Sequence, residues 1–194
     1  MRPVAATAVR DRVIDAVLVC VERVGLGALT LDEVAAEAGL GRATIYRHFE
    51  GGREQLIREA VLRELTSFWT ALAEDVAHLG DIESRLVAGL VSADRRLDEL
   101  HLLRKLVSAE PEELLPTLFE SESILNVQLR SYVVELLARE QLREGVDPEA
   151  AADYLGRMLV MHIASHGRWD LSDEEQVRRL VRTQFLAGIL DDGL

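Results

Sequence analysis

Long apolar runs, cysteine, proline and aromatic residues are all scarce in this sequence of 194 residues. No uninterrupted apolar run reaches the roughly 18 residues of a membrane span, and the start at Met1-Arg2-Pro3 lacks the apolar stretch and cleavage site of a signal peptide. We therefore expect a cytoplasmic protein. The single cysteine, Cys20, cannot form an internal disulfide and falls within an apolar helical stripe, which favours a packing role over a redox role.

Strand alternation, internal repeats and low-complexity stretches are absent from the pattern as well. Few prolines, few aromatic residues and many Ala, Leu, Glu and Arg residues favour helix, and apolar residues recur at the three- and four-residue spacing of one helical face. With 48% hydrophobic and 29% charged residues, the chain has the balance of a globular protein. The sequence therefore predicts an all-α fold of about nine helices.

Positive charge is also in short supply, since the net charge is −12 and an acidic chain repels nucleic acid unless its charge is unevenly distributed. The first 66 residues hold nine Arg and ten Asp or Glu, whereas the remainder holds 13 basic and 24 acidic residues. The acidity therefore lies in the C-terminal part. Because the N-terminal part is only near neutral, DNA binding by it requires a local basic face.

Glycines and capping residues predict the helix boundaries of the N-terminal part. A first helix stops at Gly25, and a second begins at a capping box in which Thr30 accepts from first-turn amides and Glu33 reaches back. The second helix ends at Gly39, and a short third helix occupies about residues 42 to 48. After Gly51-Gly52, a helix of about 25 residues extends to about residue 79.

The C-terminal part carries further capping signals. Asp81 caps a helix, and the stretch from Pro111 to Pro116 forces a break. Another helix is expected over about residues 123 to 144. The last two helices, at about 148–167 and 173–190, open at a cap followed by proline and at a second capping box: Asp147-Pro148 and Ser172-Asp173-Glu174-Glu175.

The second and third helices are joined by the tight turn Gly39-Leu40-Gly41, as a helix-turn-helix requires. The third helix is rich in hydrogen-bond donors, and Ala43, Ile45 and Phe49 are expected on its buried side. Many proteins that bind no DNA contain similar corners, so the geometry alone does not decide the function.

The residues themselves are more specific. The run Leu31-Asp32-Glu33-Val34-Ala35-Ala36-Glu37-Ala38-Gly39-Leu40-Gly41-Arg42-Ala43-Thr44-Ile45-Tyr46-Arg47-His48-Phe49, followed by Arg53-Glu54-Gln55-Leu56, resembles the helix-turn-helix of the TetR family of transcriptional regulators. The detailed resemblance covers about residues 9 to 62. Gly51-Gly52 departs from it, since the family often has one residue fewer there, and the amides of this glycine-rich helix start are candidates for binding a phosphate.

The resemblance implies a DNA-binding domain of residues 1–53 and a ligand-binding and dimerisation domain of residues 54–194. It also implies that Arg42, Thr44 and Arg47 approach base edges or nearby backbone, and that Tyr46 and His48 hold phosphates. Thr30 and Arg53 complete the candidate DNA-binding set. The alternatives are that Thr30 is only a helix cap, and that Tyr46 and His48 belong partly to the core.

A single domain of this size reads one half-site weakly, so we expect a homodimer on a palindromic double-stranded operator. The resemblance implies that the last two helices meet their symmetry mates. The candidate interface residues are Leu155, Leu159, Ile163, Leu180, Val181, Phe185 and Ile189. The alternative is that these apolar stripes close the core of the single chain.

Ligand sites in helical domains are apolar cavities with few polar groups, which favours an apolar or amphipathic small-molecule effector. The candidate pocket residues are Phe68, Trp69, Leu72, Leu103, Phe119, Asn126, Met158, Met161, His162 and Trp169. Packing in the core is the competing explanation for most of them. His162 and His166 have the spacing of two metal ligands, but no third ligand accompanies them, so we expect neither a metal site nor a cofactor.

The sequence thus predicts a ligand-responsive transcriptional regulator, and more specifically a repressor that its effector releases from DNA. The alternative is a helical interaction or dimerisation protein without sequence-specific DNA binding. We do not expect an enzyme, because the sequence has no glycine-rich phosphate loop, serine elbow or convincing Cys-His pair.

Overall fold

The computed structural model describes residues 3–25, 27–99, 124–165 and 167–191, and over these residues the fold is all-α, as predicted. Its helices are α1 (Pro3–Val24), α2 (Leu31–Glu37), α3 (Arg42–His48), α4 (Gly52–Val76), α5 (Ile82–Glu99), α6 (Ile124–Leu137), α7 (Pro148–Ala164) and α8 (Glu174–Leu180), followed by a π-helical turn (Val181–Leu186). None of the helices in the described ranges combines the length and the hydropathy that a membrane span requires.

Contacts divide the chain into two units, and the division falls between Ser67 and Phe68, within α4. The sequence places a functional boundary at the start of the same helix, after residue 53, and that boundary stays a prediction. The first unit has one apolar core, formed by buried side chains of all its helices: Val13, Val17, Cys20, Val21, Val34, Ile45, Phe49, Leu56 and Ala60. Cys20 is completely buried there, which confirms its packing role.

The caps of the first unit form as the sequence predicts. Thr30 Oγ1 accepts a hydrogen bond from the Glu33 amide at 3.3 Å, and the Glu33 carboxylate accepts one from the Thr30 amide at 3.1 Å. This capping box begins α2. Gly25 and Gly39 follow α1 and α2 with φ of +81° and +63°, a conformation that side chains other than glycine disfavour.

Local capping also begins the helices of the second unit. The Asp81 carboxylate accepts from the Ser84 amide at 2.7 Å, and Asp147 accepts from the Ala150 amide at 3.2 Å in front of α7. The helices α6 and α7 lie close together at Gly156, where an added Cβ would stand 3.5 Å from a methyl group of Leu129. Glycine at this position therefore permits the close approach of the two helices.

Three boundaries differ from the prediction, and hydrogen bonds between distant segments explain the first. The sixth helix ends at Leu137 rather than near residue 144, because Glu140 accepts from the Ile82 amide at 3.0 Å. Beyond it, Arg143 donates to the Ile189 carbonyl at 2.9 Å, and Asp191 donates to the Gln141 carbonyl at 3.0 Å. The segment after α6 is therefore paired with the C-terminal segment around the bridge between Leu142 and Leu190.

The second and third differences lie in the last helix. Its cap is Asp173, which accepts from the amides of Glu175 and Gln176, whereas Ser172 bonds to Asp170. After α8 the backbone widens into the π-helical turn, which the helical pattern of the sequence did not indicate. The expected break between Pro111 and Pro116 lies outside the described residues.

Candidate nucleic-acid interface

Residues four apart in α3 lie on the same face of the helix, so its inner and exposed faces carry different residues. Ile45 and Phe49 have no exposed surface, so they fix the inner face of α3 in the core. Arg42 and Tyr46 share one exposed face, and Arg47 is exposed beside it. A short helix anchored on one side and bearing arginines on the other can present these arginines to a DNA groove.

Arg42 is held in place by the helix before it. Its guanidinium lies 3.1 Å from both carboxylate oxygens of Asp32 in α2 and 5.7 Å from the ring centroid of Tyr46. The hydrogen bond with Tyr46 and then the charge of Asp32 raise the pKa of Arg42. The ion pair is too exposed to contribute much stability, but it orients the donors of Arg42.

Arg47 differs from Arg42 in its surroundings. Its side chain is exposed, and it makes no hydrogen bond or ion pair with other residues in the described ranges. Thr44 and His48, four residues apart, are only partly exposed beside it. An exposed arginine without a partner gains little from folding, so its donors are available for a ligand.

Ala43 is the one residue of this helix that the sequence places wrongly. It is exposed rather than buried, and it shares the face of Arg47, four residues later. The spacing of four from Arg47 is the signal that could have placed it. A methyl group beside an arginine suits contact with a thymine methyl.

The remaining candidate residues serve the fold directly. Thr30 acts as the cap of α2 while its hydroxyl stays exposed, and the His48 carbonyl accepts from Arg10. Arg53 donates from Nε to the Leu29 carbonyl at 2.9 Å, so it ties the start of α4 to the loop before α2.

The amides of the two glycines at the start of α4 are not free, which differs from the expectation for these two residues. The Gly51 amide donates to Gln55 Oε1 at 2.9 Å, and the Gly52 amide donates to the Phe49 carbonyl at 3.0 Å. Because both amides already have acceptors, they are not poised to hold a phosphate.

Comparison with known proteins adds to this geometry. Residues 13–60 match the model of bacterial regulatory proteins of the tetR family. The whole chain is similar to SmeT, the repressor of the Stenotrophomonas maltophilia multidrug efflux pump SmeDEF, with 25% identity, coverage of 95% of this chain and 91% of SmeT, and a TM-score of 0.61. The matched N-terminal segment is a domain of the TetR family.

Two further solved structures share the fold of this chain. A complex of SmeT with triclosan is 23% identical, covers 96% of this chain and 93% of its own, and has a TM-score of 0.60. AlkX from Dietzia sp. strain DQ12-45-1b, a TetR-family repressor implicated in biodegradation of n-alkanes, is 24% identical, covers 94% and 97%, and has a TM-score of 0.63. No protein with a curated description matches the sequence. The family identifies a transcriptional regulator, and it does not favour an interaction protein without DNA binding.

Several of the candidate ligand residues lie on α4 and α7. Phe68 and Leu72 are buried in the second unit, and the Phe68 ring meets the edge of the Trp69 ring with centroids 5.4 Å apart. Met158 and His162 form a second pair on α7, since His162 Nδ1 lies 2.8 Å from the Met158 carbonyl.

The other candidates are more scattered. Met161 is 42% exposed, and Trp169 is half-buried with the Arg168 guanidinium 4.9 Å from its ring centroid. Leu103, Phe119 and the side chain of Asn126 lie outside the described residues. Sequence reasoning missed an open cleft of about 490 Å³ along α4, α5 and α8, which includes Asp75, His78 and Arg178 but none of the candidate ligand residues.

All seven candidate interface residues are buried within the single chain. Their relative exposures range from 0% to 8%: Leu155, Leu159, Ile163, Leu180, Val181, Phe185 and Ile189. Burial in the chain's own core is enough to explain why they are apolar. Tyr154 and Met161 on α7 are each 42% exposed and have the surface that an interface needs.

A metal site was not expected, and the described ranges contain no cluster of three or more His, Cys, Asp or Glu placed to hold an ion. His162 packs its ring against Phe185 with centroids 5.1 Å apart, while the structure of its potential co-ligand His166 is outside the described residues. The surroundings of His162 are those of a packed histidine.

Proposed function

We propose that this TetR-family regulator is a homodimeric repressor that binds a palindromic operator and is released by an apolar or amphipathic small molecule. The observation that carries the proposal is the exposed face of α3, where Arg42 and Arg47 stand on a helix whose other side is anchored by Ile45 and Phe49. It acts in the cytoplasm, where the DNA is, and without catalysis.

On the operator, Arg42 and Arg47 read bases, because arginine matches the two acceptors of guanine with a bidentate contact. Ala43 contacts a thymine methyl on the same face, and Thr44 lies beside the arginines. The phosphate contacts of Tyr46, His48, Thr30 and Arg53 fix the register of the helix without reading sequence.

We take α3 as the recognition helix, the helix that enters the DNA groove. Dimerisation follows from the need to hold two recognition helices, one from each subunit, at one fixed spacing. Tyr154 and Met161 support an interface on α7, since they are seven residues apart and therefore lie on one helical face. The Tyr154 hydroxyl donates to the Gln184 carbonyl at 2.7 Å, which joins this face to the π-helical turn. We place the interface on these exposed residues, with the buried stripes behind them as support.

The effector site lies around Phe68, Trp69 and Leu72, with Met158 and His162 as further candidates. Aromatic and aliphatic groups with a few polar atoms suit an apolar or amphipathic ligand. The triclosan complex of SmeT supports this ligand class, because that repressor has the same fold.

The deciding experiment is a salt titration of binding to the promoter DNA beside the protein's own gene and to a random duplex of equal length. Specific binding should exceed random binding by about a thousandfold or more, and both should weaken as salt rises because counterions are released. Equal affinity for the two duplexes would contradict sequence-specific regulation.

A further inference from the structure

The junction between α3 and α4 is enclosed by a ring of hydrogen bonds. The Gly51 amide donates to Gln55 Oε1 at 2.9 Å, and Gln55 Nε2 donates to Glu59 at 2.8 Å. Arg10 Nη2 lies 2.5 and 2.6 Å from the two carboxylate oxygens of Glu59, while Arg10 Nη1 donates to the His48 carbonyl. The ring thus runs from α1 through α4 to the end of the recognition helix.

One guanidinium closes this ring and also packs on the core. The Arg10 guanidinium carbon is 4.5 Å from the ring centroid of Phe49, the fully buried residue that caps α3. Its fixed fork of donors can satisfy a carbonyl and a carboxylate at once, which a point charge cannot do. The pair of Arg10 and Glu59 is partly buried, with 38% and 28% of each side chain exposed, so solvent screens it only in part.

The recognition helix depends on such contacts because it has only seven residues. Helices this short are not stable alone, and their orientation is set by what they pack against. The connection to α4 adds little stiffness of its own, since it contains Gly51 and Gly52. Contacts at the C-terminal end of α3 therefore have to hold its direction.

We infer that Arg10 is a positioning residue for DNA recognition: it fixes the C-terminal end of α3 against α1 and α4 without touching DNA itself. The inference rests on the proposed function, because it assumes that α3 reads DNA. It assigns a role to the extra glycine of this chain as well, since the Gly51 amide is a member of the ring.

The chain supplies a matched control in Arg63. This arginine pairs with Asp15 at 2.7 Å, so it also links α4 to α1, and it bonds to the Asp11 carbonyl. Within the described residues it makes no hydrogen bond or ion pair with α3, and its removal changes the charge by the same amount. The test compares R10M with R63M in the full-length protein.

Binding is measured on the duplex that wild-type protein selects from a random pool, well below the unfolding temperature of each variant. R10M should lose about tenfold or more in affinity, the size expected for one charge-assisted hydrogen bond, whereas R63M should stay within about twofold of wild type. R10K should resemble R10M, because an ammonium lacks the fork. Equal losses in R10M and R63M, or wild-type affinity in R10M or R10K, would overturn the inference.

Hydrogen exchange tests the ring without DNA, and it can be measured on either of two Arg10 variants. The Gly51 amide should exchange faster in R10M than in wild type or R63M, and R10K provides the same measurement if R10M fails to fold. Unchanged exchange at Gly51 in a folded Arg10 variant would overturn the ring. If wild-type protein selects no sequence, the proposed function fails, while the exchange result still decides whether Arg10 holds the junction.

Discussion

Most arginine side chains in the first unit either pair with an acidic residue or are exposed without a partner, while Arg53 donates to a backbone carbonyl. Several are paired with acidic residues of neighbouring helices: Arg10 with Glu59, Arg23 with Glu37, Arg42 with Asp32, and Arg63 with Asp15. Arg47 and Arg58 are exposed and have no partner among the residues the structure describes. In a unit of near-neutral charge, the local arrangement of these groups decides where an anion can bind.

Arg47 provides the first prediction, because its exposed guanidinium is on the recognition helix. Arg47→Ala should cost about 1 to 3 kcal/mol on the operator and much less on random DNA, as loss of a base contact does. Arg58→Ala removes the same charge from α4 and should leave the ratio of the two affinities unchanged. Titration of both duplexes by fluorescence anisotropy measures that ratio, and equal losses on the two DNAs would show that Arg47 does not read bases.

Asp75 in the second unit gives a prediction about pH. Hydrogen bonds from Arg96 and Ser92 lower the pKa of Asp75 from its ordinary 3.8 to about 2. A carboxylate with a lowered pKa in the fold stabilises the fold above its unfolded pKa, and this contribution disappears as the pH falls through 3.8 toward 2. The contribution should be about 1 kcal/mol, since 29% of the side chain is exposed and solvent screens the pair.

Urea unfolding between pH 5 and pH 2.5 tests this. Asp75→Asn should lose less stability than wild type over that range, because it has no carboxylate to protonate. Asp153→Asn is the control, since Asp153 is 54% exposed and its one ion pair among the described residues is with Arg157, one turn away. If the free energy of unfolding of Asp75→Asn fell with pH as steeply as that of wild type, the pH dependence would not come from Asp75.

At the scale of elements, the sequence predicts what neighbouring residues determine. The capping box of Thr30 and Glu33, the Asp147-Pro148 cap and the glycine ends of α1 and α2 involve residues within a few positions of each other. The end of α6 could not be found in this way, because it depends on Glu140 reaching Ile82, 58 residues away. The exposure of Ala43 could have been predicted from its spacing of four from Arg47.

The candidate DNA-binding residues were also easier to predict than the contacts that hold α3 in place. A recognizable run of residues in α2 and α3 pointed to the exposed side chains of α3. No local pattern links Arg10 to His48 or Glu59, which lie 38 and 49 residues further along the chain. Supporting contacts of this kind become visible only when the helices are packed together.

Gly52 provides a prediction for the junction between α3 and α4. Its φ is +61°, and an added Cβ would meet only Leu31 and Tyr46, both at an ordinary distance of 3.9 Å. Gly52→Ala should therefore destabilise the protein by about 1 to 2 kcal/mol through backbone strain alone. Gly27→Ala adds a methyl in open space without a positive φ, so its stability should be unchanged or slightly higher. Thermal unfolding measures the stability of the two variants. Equal stability would contradict backbone strain as the cost of a side chain at Gly52.

For the whole molecule, dimerisation depends on surface that the single chain leaves exposed. Phe185 and Leu159 are only 1% and 7% exposed. Phe185→Asp or Leu159→Asp would therefore place a charge in the core and should unfold the chain. Met161→Glu should instead separate the subunits while helix content is retained. Val127→Glu is the control, since Val127 is similarly exposed, at 44%, but lies on α6 and not on α7. Sedimentation measures the oligomeric state. If the Met161→Glu variant remained dimeric, the interface would have to lie elsewhere.

The chain passes from the first unit to the second within α4, and for the proposed repressor we predict that ligand binding and DNA binding are interdependent. The helix begins at Gly52, beside the recognition helix, and carries Phe68, Trp69 and Leu72 further along. Operator DNA requires two recognition helices at one spacing. A ligand that favours a different spacing must lower the affinity for DNA, and linkage requires DNA to lower the affinity for that ligand by the same factor.

The ligand can be sought among apolar and amphipathic compounds by the fluorescence of Trp69, which is half-buried and in contact with Phe68. Trp69→Phe separates its signal from that of Trp169. The affinity of the ligand is then measured with and without operator DNA, and the two values should differ by about 5- to 150-fold, a coupling of roughly 1 to 3 kcal/mol. The affinity of the operator, measured with and without saturating ligand, should change by an equal factor. Identical ligand affinities in the two conditions would rule out the coupling, because no ligand that binds both states equally can release the repressor.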